Sequence, residues 1–230
     1  MLTRLTHLAL EAKDPDAARA FYADRFGLTA TRETAEGVVL PVGRTDLHLR
    51  RPTGVPRGGL HTHFALAASP GALSAWRERL SDLDPETVDF GGYRSLYVYD
   101  PDGNCVEIGC KAGEEQEADA PTEIFEIVLE VVDLDRAEAT YAALGFDPVD
   151  RGESRRRVRL RGPMDLELWE PQLGLADARG GVHVDLGFET ADPAAAADAV
   201  AAWTTAREAV DGGVRVRDAD GHWVTFTRSG

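Results

Sequence analysis

Apolar and polar residues alternate over positions 4–12, and the chain then changes rhythm. Side chains alternate across a strand but recur every three or four positions on a helix, so the change predicts a strand followed by a helix. Asp14-Pro15-Asp16 supplies a cap, Ala18, Phe21, Tyr22 and Phe26 form an apolar stripe over 17–26, and Gly27 ends it. Strand-like runs follow at 28–34, 36–42 and 45–51. The order then repeats: a strand at 60–67, a helix over about 70–82, strands near 86–90 and 93–99, a DPDGN turn, and a strand at 104–110. Residues 122–230 show the same order twice more, with helices near 134–144 and 192–203. One helix and about four strands per quarter predicts an α+β fold of four βαβββ modules with antiparallel sheets.

The halves also resemble each other in letters. RGGLHTHFAL at 57–66 matches RGGVHVDLGF at 179–188, DPDGNCVEI at 100–108 matches DADGHWVTF at 218–226, TDLHLRRP matches MDLELWEP, and TRLTHLALEA matches TEIFEIVLEV. Between them, residues 111–121 carry four acids, no apolar period and a terminal Pro121, the pattern of a solvated linker. The expected organisation is therefore a domain over 1–110, an acidic linker over 111–121 and a second domain over 122–230.

Strand parity locates candidate chemistry. Leu8 and Leu10 share one face of their strand and His7 takes the other; Leu47 and Leu49 oppose His48; Phe64 and Leu66 oppose His61 and His63; Val106 and Ile108 oppose Glu107. Tyr97, ten positions before Glu107, opposes Leu96 and Val98. Imidazoles and a carboxylate on rigid strands are a metal-capable set, suited to Fe(II), Mn(II), Zn(II) or Ni(II). A lone strand histidine is more commonly structural, so the weight lies on the coincidence of four strands. In the second half the equivalents of His7, His63 and Glu107 are Glu126, Asp185 and Thr225, and Glu167 stands for His48. Without histidines this half is expected to hold no transition metal, although its acids could take an opportunistic cation through oxygen. Its expected role is to cover sheet surface and help close the first site, with His183 on a strand surface and His222 in a turn.

Composition narrows the classes. Forty acidic against 25 basic residues give a net charge of −15, with Lys13 and Lys111 the sole lysines. The hydrated, self-repelling surface resembles that of a halophilic protein and disfavours nucleic acid. No apolar run is long enough to span a bilayer and no signal-peptide pattern opens the chain, so cytoplasmic location is expected. Cys105 and Cys110 fit no metal or redox motif and are expected as buried or free thiols.

These residues resemble the vicinal oxygen chelate superfamily of glyoxalases, extradiol dioxygenases and fosfomycin or bleomycin resistance proteins. MLTRLTHLAL with AARAFYADRFGL is similar to its opening strand and helix, LHTHFALA to its second histidine strand, and YDPDGNCVEI to its glutamate hairpin. The resemblance implies sheets curled into half-barrels, a metal triad of His7, His63 and Glu107, and a small-molecule substrate with vicinal oxygens bound by a monomer or homodimer. His48 and Tyr97 are spaced like the acid/base histidine and substrate-contacting tyrosine of type I extradiol dioxygenases, which favours Fe(II) and ring cleavage of a catechol-type substrate. Two features depart from that pattern: no histidine precedes the tyrosine strand, and the metal of two-domain extradiol enzymes usually sits in the C-terminal half. The alternatives implied are a glyoxalase-like isomerase or lyase, in which His48 stands where a ligand glutamate is usual, and a non-catalytic drug-binding protein.

Overall fold

The computed structural model describes residues 1–52, 61–171 and 184–228. Among these residues sixteen strands and four α-helices follow in the order strand, helix, three strands, four times over. The first quarter is β1 (Leu2–Glu11), α1 (Pro15–Phe26), β2 (Arg32–Glu33), β3 (Gly37–Val42) and β4 (Thr45–Arg50). The second is β5 (His61–Ala67), α2 (Leu73–Arg79), β6 (Glu86–Asp89), β7 (Tyr93–Tyr99) and β8 (Cys105–Lys111). The third is β9 (Ile124–Glu130), α3 (Leu134–Ala143), β10 (Asp147–Arg151), β11 (Arg157–Arg161) and β12 (Asp165–Trp169). The fourth is β13 (Asp185–Thr190), α4 (Pro193–Ala199), β14 (Thr204–Val210), β15 (Gly213–Asp218) and β16 (Trp223–Arg228). Aspartates cap three helices: Asp14 accepts from Asp16 N and Ala17 N, Asp133 from Arg136 N, and Asp192 from Ala195 N. The expected strand at 28–34 shrinks to Arg32–Glu33, and the helix at 70–82 to Leu73–Arg79 followed by a short 3₁₀ turn.

Each quarter lays its strands in the order first, fourth, third, second, with the first and fourth parallel. The sheets are therefore mixed, not antiparallel throughout: the helical crossover lets the fourth strand return beside the first in the same direction. Every first strand keeps one edge open for a partner. β1 takes β13 and β5 takes β9, both antiparallel, which yields two eight-stranded sheets. One sheet joins the first and fourth quarters, the other the second and third. The segment 111–121, exposed except at Ala118 and Pro121, thus separates no sheet from another: each sheet is half from either side of it. The second half does not merely cover the first; it completes both sheets.

The apolar parity of the sequence becomes the core. Leu8, Leu10, Leu47 and Leu49 of the first sheet and Phe64, Leu66, Val106 and Ile108 of the second are all fully buried. Burial of such side chains stabilises by roughly 1.5–3 kcal/mol each. The helices lie on this core side, and the Phe26 and Trp76 rings stack at 5.8 Å where α1 meets α2. The same pair of tethers occurs in each half. Tyr22 donates to Asp100 of the DPDGN turn at 2.9 Å, with Lys13 N donating to Asp102 at 2.8 Å. Tyr141 likewise donates to Asp218 at 3.4 Å, and Val132 N to Asp220 at 2.8 Å. His222, expected merely in a turn, is fully buried there and its Nδ1 lies 2.9 Å from Asp218 Oδ2. Both cysteines are buried and unpaired with each other. Among the described residues no helix is long and apolar enough to cross a membrane.

Candidate metal centre

The face of the second sheet away from the core carries the densest chemistry. In β5, Phe64 and Leu66 turn into the core, which sends His63 and Ala65 to the opposite face. Ala65 is paired on one side with Glu107 of β8 and on the other with Glu126 of β9. A methyl group between two carboxylates leaves room for both to lean toward His63, two residues along. His63 Nε2 lies 3.1 Å from Glu107 Oε2 and 3.5 Å from Glu126 Oε1. The three side chains offer ligand atoms all within 4.8 Å of one another, and all three are buried. Ser95 donates to Glu107 Oε1 at 2.5 Å, and Arg159 pairs with Glu126. One register further, Glu167 of β12 faces the same space, where Arg157 donates to Oε1 at 3.1 Å and Trp169 Nε1 to Oε2 at 2.6 Å.

The electrostatics follow from three acids and one imidazole out of water. Burial opposes charge on His63, but hydrogen bonds and attraction from Glu107 and Glu126 outweigh it and raise its pKa to about 9. Burial pushes Glu107 up, yet His63, Ser95 and Tyr97 together bring it below its usual value. Glu167 is raised, by burial first and by the Glu126 charge second. Tyr97 sits opposite Glu107 in the β7–β8 ladder and meets the His63 ring edge-on at 5.5 Å. Burial and the Glu107 charge keep its hydroxyl protonated well beyond the usual range. Tyr93, raised for the same two reasons, lies over Gly109, where a Cβ would come within 2.0 Å of the Tyr93 oxygen. These groups line a cleft of about 960 Å³ whose other walls include Phe125, Trp169 and four arginines of the third quarter.

The structure does not bring all the expected ligands together. His63 and Glu107 meet, with Tyr97 beside them, but His7 and His48 lie in the first sheet, because β1 pairs with β13 and β4 rather than with β5. There His7 and His48 stack at 4.7 Å, and His7 Nε2 is 3.7 Å from Asp185. The place expected for His7 beside His63 is taken by Glu126, and that of His48 by Glu167. Both acids were visible in the sequence as the repeat equivalents of those histidines; what was missing was the knowledge that module two pairs with module three. The side chain of His61 and all of His183 lie outside the described residues.

One imidazole set between two buried carboxylates is a donor set that fits a divalent cation on charge as well as on chemistry. Residues 4–108 match the model of the Glyoxalase/Bleomycin resistance protein/Dioxygenase superfamily. No curated protein matches the sequence. The fold as a whole is similar to a solved Bacillus subtilis subsp. subtilis str. 168 protein described as a "putative dioxygenase", at 15% identity and TM-score 0.73, over 99% of this chain and 85% of that one. It is also similar to glyoxalase I from Zea mays, at 20% identity and TM-score 0.71, over 98% and 92%.

Proposed function

We propose that this chain is a divalent-metal enzyme acting on a small substrate with vicinal oxygens, and that it transfers a proton on that substrate as a glyoxalase-type isomerase or lyase does. The donor set is the observation that carries this reading. His63, Glu107 and Glu126 combine one imidazole with two carboxylates, and Glu167 adds a third acid nearby. Ferrous oxygenases of the facial-triad type use two imidazoles and one carboxylate. With His7 and His48 on the other sheet, that set is not assembled here, and Mn(II), Ni(II) or Zn(II) suits the centre better than the Fe(II) of the extradiol reading. The bound ion would supply Lewis-acid stabilisation of negative charge developing on substrate oxygens.

The protein's own groups divide the remaining work. Glu167, its pKa raised by burial and by Glu126, is the carboxylate able to accept a carbon-bound proton and return it. Arg157 and Trp169 hold that carboxylate in place. Tyr97 keeps its proton and spends it on Glu107, steadying that carboxylate, while Tyr93, Phe125 and Trp169 give the cleft its apolar lining.

The test is hydrogen exchange. Protein loaded with Mn(II), Ni(II) or Zn(II) is incubated in D₂O with a panel of thiol adducts of 2-oxoaldehydes and of α-hydroxycarbonyl compounds, and deuterium at the carbon between the oxygens is followed by NMR. Exchange with wild type that is lost in Glu167→Gln, with metal retained, is expected. Yellow ring-cleavage products from catechols with Fe(II), and no exchange, would overturn the reading in favour of oxygen chemistry. Metal content unchanged in both His63→Ala and Glu107→Ala would replace it with a non-catalytic binding protein.

A further inference from the structure

The cleft is out of character with the rest of the molecule. The chain has 25 basic residues against 40 acidic ones, yet the cleft walls carry five basic residues, Lys111, Arg155, Arg157, Arg159 and Arg161, against six acidic ones. Three of the five are already committed. Arg157 pairs with Glu167 and, at 2.7 Å, with Asp150; Arg159 pairs with Glu126 and, at 2.9 Å, with Asp165; Arg161 lies 3.2 Å from Asp165. Among the described residues Arg155 and Lys111 enter no ion pair. Arg155 is partly buried and, in a protein with an excess of 15 negative charges, keeps its guanidinium clear of any described carboxylate, which leaves its N–H groups open to an anion from outside.

Arg155 is nevertheless held in place. Its guanidinium lies 4.6 Å above the centre of the Trp169 ring, a cation–π arrangement, and the same ring meets His63 edge-on at 6.2 Å. Trp169 is thus a shared wall with the metal-capable imidazole at one edge and an uncommitted guanidinium over its face. Phe125 and Tyr93, in edge-on contact at 5.8 Å, also line the cleft and give it a second aromatic surface. A cleft of about 960 Å³ is also larger than a three- or four-carbon compound needs.

We propose that the substrate is an arene-bearing carboxylate: its vicinal oxygens face His63, Glu107 and Glu126, its flat apolar part lies along Trp169, Phe125 and Tyr93, and its carboxylate is received by Arg155, with Lys111 adding long-range attraction. The proposal rests on the reaction site assigned above, but the recognition by Arg155 is independent of the metal and is testable without turnover. A forked guanidinium suits a carboxylate in two-point contact, and desolvation by the aromatic walls strengthens it.

The experiment compares 2-naphthoate with its neutral isostere 2-naphthalenemethanol by calorimetry, on protein as purified and after chelation. The carboxylate is expected to bind about tenfold more tightly than the alcohol. In both preparations that preference falls to near unity in Arg155→Gln, while affinity for the alcohol, the unfolding midpoint and the metal content stay unchanged. Arg156→Gln, which removes a neighbouring arginine paired with Glu170 outside the cleft, keeps the preference. Equal affinity for acid and alcohol in wild type, no binding of either, or a preference that survives Arg155→Gln would overturn the proposal. A preference that disappears on chelation alone would also overturn it, by assigning the carboxylate to the metal. If the preference behaves as expected but no deuterium exchange occurs with any substrate, the recognition stands and the reaction assignment falls.

Discussion

The two sheets place the same four ladder positions on the same kind of face and fill them with opposite chemistry. In the second sheet the positions hold Glu126, Glu167, His63 and Glu107; in the first they hold His7, His48, Asp185 and Thr225. The central small residue is Ala65 in one and Gly187 in the other, each flanked by the strands that carry the paired groups. Among these four positions of the first sheet the one acid is fully used: Thr225 donates to Asp185 Oδ1 at 2.8 Å, Arg50 and Arg215 lie 3.5 and 3.6 Å from Oδ2, and His7 is at 3.7 Å. Burial raises Asp185, but these partners hold it down to about 2. In the second sheet, arginines reach Glu126 and Glu167 while Glu107 and the inner oxygen of Glu126 face His63. Having two histidines therefore does not make the first sheet the better metal site. Two arginines against Asp185 repel a cation there, whereas surplus carboxylate attracts one to the other face.

The comparison predicts its largest asymmetry in metal binding. His63→Ala and Glu107→Gln should each weaken binding of Zn(II) or Mn(II) by about 100-fold or more, beyond the loss known for outer-sphere changes, whereas His7→Ala should leave it unaltered; titration calorimetry reads both. Metal lost in His7→Ala and kept in His63→Ala would reverse the assignment of the two faces. Next comes proton transfer: Glu167→Gln is expected to lower kcat by about 10²–10⁴ with metal retained, and His48→Ala to leave kcat as it was, measured on whichever substrate exchanges.

Smaller effects probe packing. A Cβ at Gly109 would meet the Tyr93 oxygen at 2.0 Å, and one at Gly187 would meet the His7 ring at 2.1 Å. Each alanine variant should lose about 1–3 kcal/mol in urea unfolding, but only Gly109→Ala should also change substrate KM, because only Tyr93 lines the cleft. The mildest contrast is in pH. His48 is pushed down to about 4, by burial first and by the neighbouring His7 charge second. Its folded form binds fewer protons than the unfolded chain between pH 4 and 6.5, so its contribution is full above 6.5 and is lost as pH falls toward 4. His63, raised to about 9, has the opposite sign in metal-free protein: its contribution is full below 6.5 and is lost as pH rises through 9. His48→Asn should flatten the acid arm of the urea-midpoint profile and His63→Gln the alkaline arm; identical profiles would show that the two imidazoles do not differ in this way.

Much of this was legible in one dimension. Parity assigned His7, His48, His63, Tyr97 and Glu107 to faces opposite the apolar rows, and the apolar rows Leu8/Leu10, Leu47/Leu49, Phe64/Leu66 and Val106/Ile108 are the buried ones. The capping aspartates Asp14, Asp133 and Asp192 follow from local chemistry and need no tertiary information. The repeat even aligned Glu126 with His7 and Glu167 with His48. The resemblance placed His7 with His63 and Glu107, whereas the strand pairing sets His7 in the other sheet.

Alternation, capping and internal repetition are properties of neighbouring residues, so the sequence alone determined which side of its strand each candidate ligand occupies and that the element order recurs. Which faces meet was decided only by the tertiary structure. The open edge of β1 presents backbone N–H and C=O groups that look alike on any first strand, so nothing local distinguishes β13 from β5 or β9, and the choice of β13 is visible only in the assembled sheet. That selection moves His7 away from His63 and delivers Glu126 and Glu167 in its place. A motif of three residues is thereby turned into a carboxylate-rich centre built from both halves of the chain.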